Sequence, residues 1–106
     1  VRVAGGIGVG ADLALPIPAD DGSECRGSSD YARVQAGDQV EIRDAAGTVV
    51  ALTQLEPAKL SEAGACAWTF AAEAPAGGAF YRAVYDRWES QLVAEEALGS
   101  EALILK

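Results

Sequence analysis

A chain of 106 residues, half of them hydrophobic and 23% charged, has room for one hydrophobic core and too little for two, and its composition is that of a folded domain. Its 16 acidic and 8 basic residues give a formal charge of −8, which repels phosphate backbones and anionic lipid and so argues against nucleic-acid or direct membrane-surface binding. Histidine, methionine and asparagine are absent, so the usual near-neutral acid-base group, the imidazole metal ligand and any N-glycosylation acceptor are missing.

Without methionine, Val1 reads as the residue after a removed leader or as the start of an excised piece. From Val1 the apolar residues Val3, Ile7, Val9, Ala11, Leu13, Leu15 and Ile17 keep to odd positions, the period of a strand. One strand of that length would run about 55 Å, far beyond the usual span of roughly 17–20 Å. Gly5, Gly6, Gly8 and Gly10 are therefore expected to interrupt it as bulges or a bend. The expectation is a strand at Arg2–Val9 and a second at Ala11–Leu15. No helix pattern follows the glycines, which argues against a nucleotide loop.

Pro16 and Pro18 close this unit, and Ala19–Asp30 reads as a polar loop carrying Cys25. Tyr31 and Val34 are spaced like one helical turn or an irregular corner, with the Tyr31 ring at the core edge and its hydroxyl paired to backbone. Gln39–Asp44 alternates cleanly, with Val40 and Ile42 inward and Glu41 and Arg43 outward. Asp44–Thr48 is a hairpin loop returning into Val49–Gln54. Leu55–Ala65 has the length of a crossover between sheets. Cys66–Ala72 is the expected central strand, with Cys66, Trp68 and Phe70 on its core face. Phe80–Asp86 follows with Tyr81, Ala83 and Tyr85 inward, since burying Arg82 and Asp86 unpaired would be costly. Ser90–Leu98 has helix-compatible composition. The preferred reading is a strand at Gln91–Val93, a helical turn at Ala94–Leu98 and a strand at Ala102–Leu105 against the N-terminal one. The sum is a single all-β domain over 1–106: an immunoglobulin-like or Greek-key sandwich of about seven to eight strands with one short helical turn.

Two cysteines allow one bridge, and their spacing fits no CxxC redox or zinc pattern. A Cys25–Cys66 disulfide would staple the polar loop to the central strand and place the chain in an oxidising compartment; a pair of unrelated buried thiols is the other reading. With the cysteines so committed, no Gly-x-Ser-x-Gly or Ser-x-x-Lys run present, and Glu95 and Glu96 in a surface turn with nothing to raise a pKa, catalysis has little to work with. The expectation is no enzyme and no cofactor. Asp20, Asp21 and Glu24 form a weak calcium candidate, more simply read as a solvated acidic loop. Tyr85, Arg87 and Trp88 are the exposed binding candidate, because tryptophan and arginine together make interaction hot spots; the plain alternative is Trp88 folding over the open edge of the core.

Cys25, Gly27, Tyr31, Val34, Gly37, the Val40-x-Ile42-x-Asp44-x-x-Gly47 hairpin, Cys66-x-Trp68-x-Phe70 and Phe80-Tyr81 together resemble a class of disulfide-containing extracytoplasmic β-sandwich domains from secreted or membrane-anchored, including lipoprotein, chains of high-GC Gram-positive (actinobacterial) bacteria. That resemblance covers Cys25 to about Leu105 and implies fold and location more than activity. The functional expectation is a non-enzymatic extracytoplasmic interaction or structural module without direct membrane insertion. The alternative is a small-ligand or carbohydrate-binding module using a concave sheet face or the Trp88 loop.

Overall fold

Alternation along extended chain decides which side chains meet, and the longest ladder in the molecule pairs the two most regular apolar patterns. The computed structural model describes residues 1–16 and 25–106. Among these lie eleven strands: β1 (Arg2–Val9), β2 (Ala14–Pro16), β3 (Cys25–Gly27), β4 (Gln39–Asp44), β5 (Val49–Gln54), β6 (Lys59–Leu60), β7 (Cys66–Glu73), β8 (Phe80–Tyr85), β9 (Trp88–Glu89), β10 (Val93–Ala94) and β11 (Leu103–Ile104). Ser29–Arg33 and Glu95–Ala97 form 3₁₀ turns. β1 and β7 run antiparallel from Arg2 opposite Glu73 to Val9 opposite Cys66. Four strands in the order β11-β1-β7-β6 make the small sheet; β10-β8-β4-β5, with β9 also on β8, make the large one, and β2 and β3 form a separate ribbon.

The fold is thus an all-β sandwich. Val3, Ile7, Cys66, Trp68 and Phe70 of the small sheet and Val40, Ile42, Tyr81, Ala83 and Val93 of the large one form a single buried cluster. Each of the buried Val, Ile and Phe side chains contributes about 1.5–3 kcal/mol by leaving water. β11 lies parallel against β1, with Gly5 opposite Leu103, so the terminal apolar run does pack on the N-terminal strand. Leu55–Ala65 does cross between sheets, since β5 and β7 belong to different ones.

Several expectations change. Gly5, Gly6 and Gly8 do not interrupt β1. Gly5 sits at a core-facing position where a Cβ would lie 2.8 Å from Phe70 Cζ and collide with the Leu103 carbonyl, so its bare Cα is what lets β11 and the Phe70 ring close in. The break comes later, at the turn where Leu13 N–H donates to Gly10 O at 3.0 Å; Ala11–Leu15 is therefore a turn followed by the short β2. Cys25 lies on a strand, β3, rather than in a loop. The corner at Tyr31 is a 3₁₀ turn, and two-residue strands appear within the crossover (β6) and after Asp86 (β9). Short bridging strands of this kind raise the count above the seven or eight that periodicity shows.

Cys25 and Cys66 are bonded, with Cα atoms 5.9 Å apart and a sequence separation of 41. On the chain-entropy account, closing a loop of that length stabilises the fold by about 4 kcal/mol.

Candidate interaction site

Tyr85, Arg87 and Trp88 do come together, at the β8–β9 hairpin. Its link is the pair Asp86-Arg87, with Asp86 held at φ 51°, and Tyr85 and Trp88 are register partners. Paired residues share a face, so an inward Tyr85 carries Trp88 inward with it. Both are buried, each 6% exposed, so Tyr85 points inward as expected and Trp88 folds over the edge of the core, the plain alternative to an exposed binding segment. Trp88 stacks on Tyr85 at 5.7 Å and on Tyr31 at 5.5 Å between ring centroids. The 3₁₀ turn is latched over the hairpin by Arg33–Asp86 at 3.1 Å and Arg87–Asp30 at 3.4 Å. Arg87 stays half exposed, with its guanidinium 5.2 Å from the Trp88 ring centre. The Tyr85 hydroxyl donates to Asp38 Oδ2 at 2.6 Å; burial first, then that carboxylate, pushes its pKa well up. Among the described residues the backbone-paired tyrosine hydroxyl expected at Tyr31 is found at Tyr81 instead, 2.6 Å from Pro75 O.

Glu95 joins Tyr81 in a separate cluster near the start of β8. Its Oε1 accepts from Gly77 N–H at 2.6 Å and lies 2.9 Å from the Tyr81 hydroxyl. The Gly77 bond first, and then Tyr81, hold the carboxyl below its ordinary value, the opposite of what a general acid requires. Tyr81 moves the other way, raised chiefly by burial. The chemistry of this cluster is that of a clamp between the Pro75–Gly78 loop and the second 3₁₀ turn.

Exposed apolar surface lies elsewhere. Leu52 is 57% exposed and Val49 41%; they are register partners of the outward-facing Glu41 and Arg43, and so stand on the outer face of the large sheet. Phe80, 45% exposed, alternates with buried Tyr81 and faces the same way. Between them Arg43 and Arg82 are direct cross-strand partners, each neutralised on its own face, Arg43 by Glu41 at 2.7 Å and Arg82 by Glu89 at 3.3 Å.

β5 is also the free edge of this sheet. Leu55 N–H donates to Asp38 O at 2.9 Å, which makes 38 and 55 a hydrogen-bonded pair. By antiparallel alternation the backbones of Thr53 and Ala51 then point to β4 and those of Leu52 and Gln54 point outward. Val50 is the extra residue of a bulge, and at the other end β7 meets the strand, with Glu56 N–H donating to Thr69 O at 2.8 Å and Thr53 Oγ1 to Ala71 O at 2.7 Å, so the open part of the edge is the backbone of Leu52 and Gln54. Beside it, Ala36, Gly37 and the 52–57 run line an open concavity of about 730 Å³ whose only charged lining residue is Glu56. Sequence reading found the strand without its exposure. The legible sign was six consecutive residues with no charge and no proline, unusual for an edge.

A second concave surface covers the outer face of the small sheet, a trough of about 890 Å³ floored by Ala4, Gly6, Gly8, Ala67, Thr69 and Ala71. Its rim carries Tyr31, Glu56, Arg2 and Lys106. Asp20, Asp21 and Glu24, the calcium candidate, lie outside the described residues. Among those described, no group of three potential ligands is placed to hold a metal, and no helix is long and apolar enough to cross a membrane. No family model, curated protein or solved structure matches the chain.

Proposed function

We propose that this domain is a non-enzymatic interaction module of an extracytoplasmic protein, and that it engages protein through the free edge of β5 and the apolar outer face beside it. The observation that carries this reading is Leu52, a large apolar side chain 57% exposed on a six-residue uncharged edge strand. Natural sheets suppress such edges with charge, proline or shortness, because unpaired N–H and C=O groups template a further strand. The disulfide is consistent with an oxidising compartment; the narrower reading of an immunoglobulin-like, secreted or surface-anchored actinobacterial domain belongs to this proposal.

The small-sheet trough favours a second reading, a small-ligand or carbohydrate-binding module, since its floor is apolar and its one aromatic rim residue is Tyr31. Site-specific photocrosslinking in the native cell envelope separates them. A crosslinker at position 52 is expected to give protein adducts, and one at position 69, in the trough, to give none. Adducts at 69 without adducts at 52 would overturn the first reading.

A further inference from the structure

We infer that the protein engaged at β5 also sends one tyrosine side chain into a hollow beside the disulfide, where its hydroxyl accepts from the indole N–H of Trp68. This rests on the reading of β5 as an interaction edge and names the chemistry of what binds there. The hollow measures about 260 Å³. Its walls come from four parts of the chain: Cys25 on β3, Val34 after the first 3₁₀ turn, Ala58 in the crossover and Trp68 on β7. All four are buried members of the core cluster, and Cys25 is further fixed by its bond to Cys66. The walls are therefore formed before anything enters. Exposed Arg26 and Gln35 complete the lining at the rim.

Position ties the hollow to β5. Ala36 and Pro57 line both it and the concavity beside that strand. Gly37 N–H donates to Leu55 O at 2.8 Å, which holds the turn carrying Ala36 against the end of β5. A segment lying along Leu52 and Gln54 thus reaches the hollow across Ala36 and Pro57. That route asks for no strand pairing past Gln54, where Glu56 N–H is already taken by Thr69 O.

Two observations select tyrosine. By the roughly 30 Å³ that a water molecule occupies, the hollow takes about nine non-hydrogen atoms, the size of one aromatic side chain, and aromatic anchors seated in pockets dominate binding at protein interfaces. The second observation is a donor. Trp68 is 2% exposed, and no acceptor among the described residues takes its indole N–H, yet no buried side-chain nitrogen there is sealed without a partner. The N–H therefore opens onto space, and the space bordered by this inward-facing ring is the hollow. Of the three large aromatic side chains only tyrosine brings an acceptor to it.

Proton–nitrogen correlation spectra recorded during titration with N-acetyltyrosinamide test the assignment. The Trp68 indole signal should move and that of Trp88, closed in its stack, should stay. N-acetylphenylalaninamide should bind a few-fold more weakly for want of the hydroxyl. Ala58→Leu fills the hollow and should weaken tyrosinamide binding at least about tenfold. Ala36→Phe, at an exposed position on the mouth, should do the same with an unchanged melting curve. A Trp68 signal that stays still up to the solubility limit of the probe, equal binding of the phenylalanine analogue, or binding undiminished in both variants overturns the inference. In the envelope, crosslinkers at Ala36 and at Leu52 should give the same protein adduct. Adducts at Leu52 alone leave the β5 reading standing and remove the tyrosine anchor; adducts at neither position remove both.

Discussion

The two ends of the large sheet are finished by opposite means. At the β8–β9 hairpin a tryptophan flanked by charged residues is stacked between two tyrosines and covered by a 3₁₀ turn held by two ion pairs. At β5 a run of uncharged residues is left with Leu52 in solvent, and among the described residues its outer backbone meets another strand only beyond Gln54, where Glu56 N–H donates to Thr69 O. Charge density therefore misleads in both places. The charged segment is a closed corner and the neutral one is the open edge, because exposure is set by register and sheet order rather than by the polarity of sequence neighbours.

This contrast can be broken by substitution. Trp88→Ala should cost about 3–5 kcal/mol, the range for emptying a buried aromatic site, measured by chemical denaturation. Loss of less than about 1 kcal/mol would mean that the hairpin is not packed as described. Replacing both cysteines by serine should cost about 4 kcal/mol and loosen the ribbon that leads into the Tyr31 turn, so near-ultraviolet dichroism from the stacked rings should weaken as well. Tyr85→Phe removes the hydrogen bond to half-buried Asp38 and should cost about 1–2 kcal/mol. At the other end, Leu52→Ser should change stability by no more than about 0.5 kcal/mol; a loss as large as that of Trp88→Ala would show that β5 is covered after all.

The same clusters set the pH response. Tyr81 and Tyr85 have raised pKa values, so the neutral hydroxyls are what the fold favours. Their contribution is whole below the ordinary tyrosine value of 10.0 and is lost as pH climbs above it towards the folded values. Glu95 is lowered from 4.5. Its contribution is whole above that value and is lost as pH falls through the folded pKa. Melting temperature followed against pH should fall beyond these limits, with Tyr85→Phe reducing the alkaline fall and Glu95→Gln the acid one.

Much of the fold was legible because strong alternation survives single-sequence reading. Val40 and Ile42 against Glu41 and Arg43 define β4 to its ends, Cys66, Trp68 and Phe70 define the core face of β7, and the apolar Leu103–Leu105 run finds β1. The disulfide was one of two readings of a cysteine pair and is present. What escaped were elements made by tertiary context. β6 and β9 are two residues long and have no periodicity to detect, and Gly5 is explained only by the approach of Leu103 and the Phe70 ring. The exposure of Tyr85 and Trp88 was ambiguous for a related reason. Asp86-Arg87 is a two-residue hairpin link, and once that is recognised Trp88 must share the inward face of Tyr85; read without the hairpin, the same residues look like an exposed recognition loop. The importance of β5 needed the sheet order, which no local pattern contains.

Amide hydrogen exchange resolved by residue tests the openness of β5 most directly. In dilute protein the amides of Leu52 and Gln54 should exchange near the unprotected rate while those of Ala51 and Thr53, directed at β4, stay protected. Equal protection of all four amides in dilute solution would contradict an open edge.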